Sequence, residues 1–112
     1  MSFRRRASAA ALLVALPAIG TVVAQDGAQV ARGRQLLEAQ CARCHAVGAS
    51  DASPVKQAPA LRQLRRRYPV DALAEALAEG IITGHPGMPE FAFQANDVAA
   101  IIAYLKSLPD PR

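Results

Sequence analysis

Apolar residues recur along this chain at helical spacing, and no segment shows the two-residue alternation of a half-buried strand. A first helix is predicted over 28–40, where Val30, Gly33, Leu37 and Cys41 fall on one stripe. Gly33 inside that stripe costs about 1 kcal/mol against alanine, which points to close approach of another element. A second helix is predicted over 71–79, with Asp71 near its N-cap, Leu73, Leu77 and Ile81 on one face, and Gly80 as its stop. The last is predicted over 97–108, capped by Asn96 and stopped by Pro109. Its apolar face is Val98, Ile101, Ile102, Leu105 and Leu108, flanked by Tyr104. Between these helices, 48–57 and 82–91 are too rich in Gly, Pro and small polar residues for a regular element. There is no internal repeat.

The 112 residues leave room for one small domain. The formal charge of +4 invites a nucleic-acid partner, but its location argues against one. Arg4, Arg5 and Arg6 precede an apolar stretch over 7–18 and a small-residue finish, Val22-Val23-Ala24. This is the layout of a secretory signal peptide, residues 1–24, cut after Ala24. The alternative, an uncleaved anchor, is disfavoured by Pro17, Gly20 and a length short of the roughly 20 residues of a bilayer span. Removing 1–24 takes away three positive charges and no negative ones, which lowers +4 to +1. The remaining domain, 25–112, has only Tyr68, Phe91, Phe93 and Tyr104 as aromatics. So small a core is marginal without a disulfide, a metal or another staple.

Cys41-Ala42-Arg43-Cys44-His45 supplies the staple. Two thiols two residues apart, followed at once by a histidine, form the pattern of c-type haem attachment. Each thiol can add across one haem vinyl group, and the adjacent imidazole is delivered to one face of the iron. A second ligand must then come from elsewhere. Met1 aside, Met88 is the sole methionine, and it stands in a proline-braced loop rather than on an amphipathic face. It is the favoured sixth ligand; His85 is its rival, and a His/His site would have the lower reduction potential. The basic run Arg62, Arg65, Arg66 and Arg67 reads as solvated surface, with a phosphate or propionate contact as the sharper alternative.

On these residues the domain resembles the class I c-type cytochromes over nearly its whole length. Cys41, Cys44 and His45 match the family's haem attachment site, and Gly87-Met88-Pro89 its distal-ligand segment. The resemblance further implies that Pro59 offers its carbonyl to the proximal histidine and that Leu61 lies against the haem. It also implies that a C-terminal helix carrying Ile101, Tyr104 and Leu105 crosses the first helix at Gly33. The chain lacks the family's propionate-binding Trp, so Tyr68 or a neighbouring arginine takes that role.

The expected protein is an all-α, cytochrome c-like fold of three to four helices around one covalent haem c, with His45 and Met88 on the iron. Its expected work is periplasmic one-electron transfer between redox-protein donor and acceptor, a dehydrogenase or a membrane oxidase among them. It is read as a carrier rather than an enzyme; the alternative is the haem subunit of a dehydrogenase or oxidoreductase complex. A zinc site of two Cys and two His, a thiol-redox motif and a haem gas sensor are the remaining rivals. Zinc is disfavoured because His45 directly follows Cys44, and thiol redox because a βαβ context is missing. Partners are expected to dock where Ala42, Val47, Gly87 and Pro89 offer small apolar surface, rimmed by Arg43 and the 62–67 arginines.

Overall fold

The computed structural model describes residues 21–80 and 87–110, with the side chains of 21–25 excepted. The expected signal segment, Ile81 and His85 fall outside these residues, save that Thr21–Ala24 is helical. Helix α1 runs Thr21–Gln40, α2 Leu73–Glu79 and α3 Ala95–Ser107, and no strand occurs among the described residues. Short 3-10 helices cover Leu61–Arg66 and Val70–Ala72. α1 starts earlier than its apolar stripe because nothing from Thr21 onward stops a helix: there is no proline, and Gly27 alone costs about 1 kcal/mol.

The α1–α3 crossing organises the fold. A Cβ on Gly33 would overlap the carbonyl of Ala100 and lie 2.9 Å from Cβ of Tyr104. The glycine therefore lets two backbones meet where any side chain would hold them apart. Around the crossing, Leu37, Val47, Leu61, Ile101, Tyr104, Leu105 and Leu108 form the core. Ile101 is its most buried member, 1% exposed. The predicted apolar face of α3 is buried as expected, and Ala100 and Tyr104 join it, so the face is wider than the pattern suggested. Arg32 bonds Asp97 at 3.2 Å and links the two helices a second time at the surface.

Three local expectations are corrected. α3 begins two residues early, with Gln94 at its N-cap and no side-chain cap bond, so Asn96 lies inside the first turn. Asp97 occupies that turn instead, where a carboxylate favours the helix dipole as well as Arg32. Asp71 does not cap α2; it sits in the 3-10 turn ahead of the helix and pairs with Lys106 at 2.6 Å.

The third concerns the basic run, which is only partly solvated. In a 3-10 helix residues i and i+3 eclipse, so Leu61 and Leu64 turn to the core together while Arg62 and Arg65 share the next face. Arg65 donates to the carbonyls of Leu105 at 2.8 Å and Lys106 at 3.2 Å, orphan acceptors at the end of α3. Arg62 donates to the Gly48 carbonyl at 3.3 Å and faces Asp51 at 3.6 Å. Both arginines are structural fasteners.

Gly33→Ala is expected to destabilise the folded protein despite alanine's better helix propensity, because one methyl must displace the backbone of Ala100. Overpacking of this kind costs about 1–3 kcal/mol, or roughly 4–8 °C in Tm per kcal/mol for a domain this small. Thermal melts of the purified variant check this; a Tm equal to or above wild type would mean that the helices do not meet there.

Candidate functional site

The two cysteines sit where α1 runs out. Cys41 still donates to the Leu37 carbonyl at 2.8 Å, in helical register, and Ala42 donates to the same oxygen at 3.1 Å. Cys44 and His45 then both donate to the Cys41 carbonyl, at 3.1 and 2.9 Å. This single turn sets two half-buried thiols three residues apart, close to one helical turn, and leaves them unbonded to each other. Burial, and after it the neighbouring Cys44, push the Cys41 thiol above its ordinary value.

His45 is aimed by its ring. Nδ1 donates to the carbonyl of Pro59 at 2.7 Å, which fixes the tautomer and leaves the Nε2 lone pair free for a metal. The expectation for Pro59, drawn from resemblance alone, thus has a geometric counterpart. Leu61 is 8% exposed, and its amide donates to the Ala46 carbonyl at 2.9 Å, beside the histidine.

The strand of backbone after His45 is fastened at each step. The Ala46 amide donates to Oγ of Ser53 at 3.0 Å, and the Val47 carbonyl accepts from the Tyr104 hydroxyl at 2.8 Å. Gly48 is held by Arg62 and Cys44 by the Val55 amide, at 3.3 and 3.2 Å. A buried tyrosine needs a partner for its hydroxyl, and that was the one sequence signal for this strut. Ser53, Arg62 and Arg65 left none, since no local pattern names the backbone groups they meet: the Ala46 amide for Ser53, and the Gly48 and Leu105 carbonyls for the arginines. Val47, expected at the surface, is 5% exposed and belongs to the core because Tyr104 draws its backbone inward.

Met88 stands apart from this cluster. It is 37% exposed and follows Gly87, whose φ of +87° is reached readily by glycine alone. Its loop is tied down beyond it, where the Phe93 amide donates to the Leu77 carbonyl at 2.8 Å and the Phe91 and Phe93 rings stack at 5.9 Å. Tyr68 is half exposed. Among the described residues no three His, Cys, Asp or Glu side chains converge as a metal cage. The donor set fits a haem: two nearby thiols and one imidazole whose second nitrogen has no partner among the described residues, in a domain where Leu64, Val70, Leu73, Leu77 and Phe93 pack on the core yet stay only partly buried.

Residues 28–105 match the family model described as cytochrome c oxidase, cbb3-type, subunit III. The chain belongs to the class I c-type cytochromes. It is 34% identical over 104 residues to a cytochrome c6 of Picosynechococcus sp., covering 84% of this chain and 89% of the relative. It is 32% identical over 81 residues to a cytochrome c-552 of Bradyrhizobium diazoefficiens, covering 72% and 76%. No solved structure matches it significantly. This cytochrome is a haem c electron-transfer protein with covalent haem, a carrier rather than an enzyme. No described helix is long and apolar enough to cross a membrane.

Burial pushes the Tyr104 phenol of this cytochrome above its ordinary value of about 10. The folded state therefore favours the neutral donor, and that contribution is complete below about pH 10 and lost as pH rises through the raised value. Tyr104→Phe is expected to cost about 0.5–1.5 kcal/mol at neutral pH and to converge on wild type above pH 10. Denaturant midpoints across pH 7–12 measure this, and parallel curves would show that the hydroxyl does not hold Val47.

Proposed function

We propose that Cys41 and Cys44 carry the thioether bonds, that His45 Nε2 and the Met88 sulfur are the axial ligands, and that Pro59 and Leu61 complete the cofactor's surroundings. The observation that carries this reading is the 2.7 Å bond from His45 Nδ1 to the Pro59 carbonyl, made by the histidine of the Cys-x-x-Cys-His turn. The haem supplies a one-electron Fe(III)/Fe(II) couple. Pro59 makes the imidazole a stronger electron-pair donor by accepting a hydrogen bond from its Nδ1–H, and it fixes the plane of the ring. The Met88 thioether favours the reduced iron relative to a second imidazole. Gly87 supplies the bend before Met88 and the Phe93–Leu77 bond anchors the loop after it, which supports Met88 as a ligand presented from a braced loop. With His45 and Met88 both holding the iron, the group would supply electron transfer rather than substrate chemistry.

The protein acts in the periplasm after removal of residues 1–24, between a redox-protein donor and acceptor. A second reading, the haem subunit of a dehydrogenase or oxidase complex, draws support from the oxidase subunit named by the matching family. Purification from the native host under mild conditions separates a free carrier from a docked subunit.

Two measurements test the site. The intact mass is expected to equal residues 25–112 plus one haem that acid and organic solvent do not extract; the mass of the bare polypeptide with a disulfide would sink the proposal. Met88→Ala is expected to abolish the weak sulfur-to-iron charge-transfer band, lower the potential and admit exogenous ligands. A wild-type protein without that band, or loss of the native sixth ligand in His85→Ala, would move the assignment to His85.

A further inference from the structure

His45 is held from three directions, and one of the three holders is a side chain. Its own amide donates to the Cys41 carbonyl at 2.9 Å, and its ring Nδ1 donates to the Pro59 carbonyl at 2.7 Å. The third holder acts on the peptide that leaves it. That peptide keeps the His45 carbonyl and the Ala46 amide in one plane, and the Ala46 amide donates to Oγ of Ser53 at 3.0 Å. Ala46 is 1% exposed, so its amide depends on a protein acceptor. The Ala46 carbonyl is taken separately, by the Leu61 amide at 2.9 Å.

Ser53 is placed for this bond by its neighbours. Pro54 disfavours the helical region for the residue before it. Beyond the proline, the Val55 amide donates to the Cys44 carbonyl at 3.2 Å. Val55 on Cys44 and Ser53 on Ala46 stand in the register of an antiparallel pair, and at the second rung the serine hydroxyl supplies the acceptor. The bonds of Tyr104 and Arg62 fall farther along the same backbone, on Val47 and Gly48.

We propose that Ser53 is a positioning residue for the imidazole of His45, and that through the shared peptide it sets the strength of the His45–Pro59 bond and with it the reduction potential. The assignment rests on the haem-site reading above. An Ala46 amide deprived of the hydroxyl must find another acceptor, because leaving it buried and unpaired is costly. Turning that peptide turns His45 with it and lengthens the Nδ1–Pro59 bond. A histidine that donates less well from Nδ1 is a less basic ligand, and a weaker electron-pair donor stabilises Fe(III) less. Loss of the hydroxyl therefore raises the potential.

Redox titration of the haem-loaded protein tests this, together with proton exchange of His45 Nδ1–H and of the Ala46 amide followed by NMR in the reduced state. Ser53→Ala is expected to raise the reduced-to-oxidised ratio several-fold at a fixed applied potential, where tenfold corresponds to about 59 mV for one electron. Its Nδ1–H is expected to exchange faster than in wild type. Ser53→Thr keeps a hydroxyl and is expected to restore both values. Ile102→Val, an uncharged change at a buried position of α3, is the control: it is expected to lower Tm and leave both values alone. A Ser53→Ala protein with the potential and Nδ1–H exchange of wild type overturns the proposal, as does an equal shift in Ile102→Val. Where Ser53→Ala does not fold, wild type decides: a protected Ala46 amide beside a wild-type potential in Ser53→Thr supports the assignment, and an Ala46 amide exchanging like an exposed one overturns it. The intact mass separates the two readings. A wild type without the haem adduct sinks the haem site, whereas an adduct whose potential ignores Ser53 sinks the positioning role alone.

Discussion

The absence of a side chain at Gly33 lets α1 and α3 cross at backbone contact, and the geometry of the site descends from that crossing. Because the helices are so close, Tyr104 on α3 lies against Gly33 of α1 and its hydroxyl reaches the Val47 carbonyl. That bond, with Leu61 on Ala46 and Ser53 on the Ala46 amide, sets the path of the chain just after His45. The imidazole is thereby turned to Pro59. The helix crossing and the His45 imidazole are thus joined by a short series of hydrogen bonds to backbone groups, which buried chains must satisfy.

Arginine does different work at different points of this small domain. Arg65 closes the end of α3 and Arg62 fastens the loop behind His45, while Arg43 and Lys56 are left to solvent beside the thiols. A guanidinium suits the first pair because one side chain can serve two acceptors: two carbonyls for Arg65, and a carbonyl and the Asp51 carboxylate for Arg62. A run of four arginines that looks uniform in sequence is divided by the three-residue period of the 3-10 helix, which puts Arg62 and Arg65 on one face against the fold and leaves Arg66 and Arg67 exposed.

The core explains why the cofactor is bonded covalently. Its fully buried side chains are few and of moderate size, and a wide apolar border around α2 and Phe93 packs only in part. A domain of this length gains little from such a core alone. Covalent attachment of a flat apolar macrocycle adds buried surface and prevents its loss, so one bond set serves cofactor retention and folding together.

The sequence by itself determined the helices, the Cys-Cys-His turn and the contact at Gly33, because each is written in neighbouring residues: a 3.6-residue apolar period, a fixed Cys-Cys-His spacing, a glycine in an apolar stripe. It determined Met88 as the candidate ligand by scarcity, since Met1 is its sole companion. Tertiary structure decided which arginines are structural, that Val47 is core rather than surface, that Asn96 lies inside the first turn of α3 while Asp97 beside it pairs with Arg32, and that Asp71 pairs with Lys106 rather than serving as the expected cap. These outcomes share a physical reason. Each depends on a hydrogen bond or ion pair between residues 14 to 65 positions apart, and no local period or propensity records which distant carbonyl or carboxylate will be within reach once the helices have crossed.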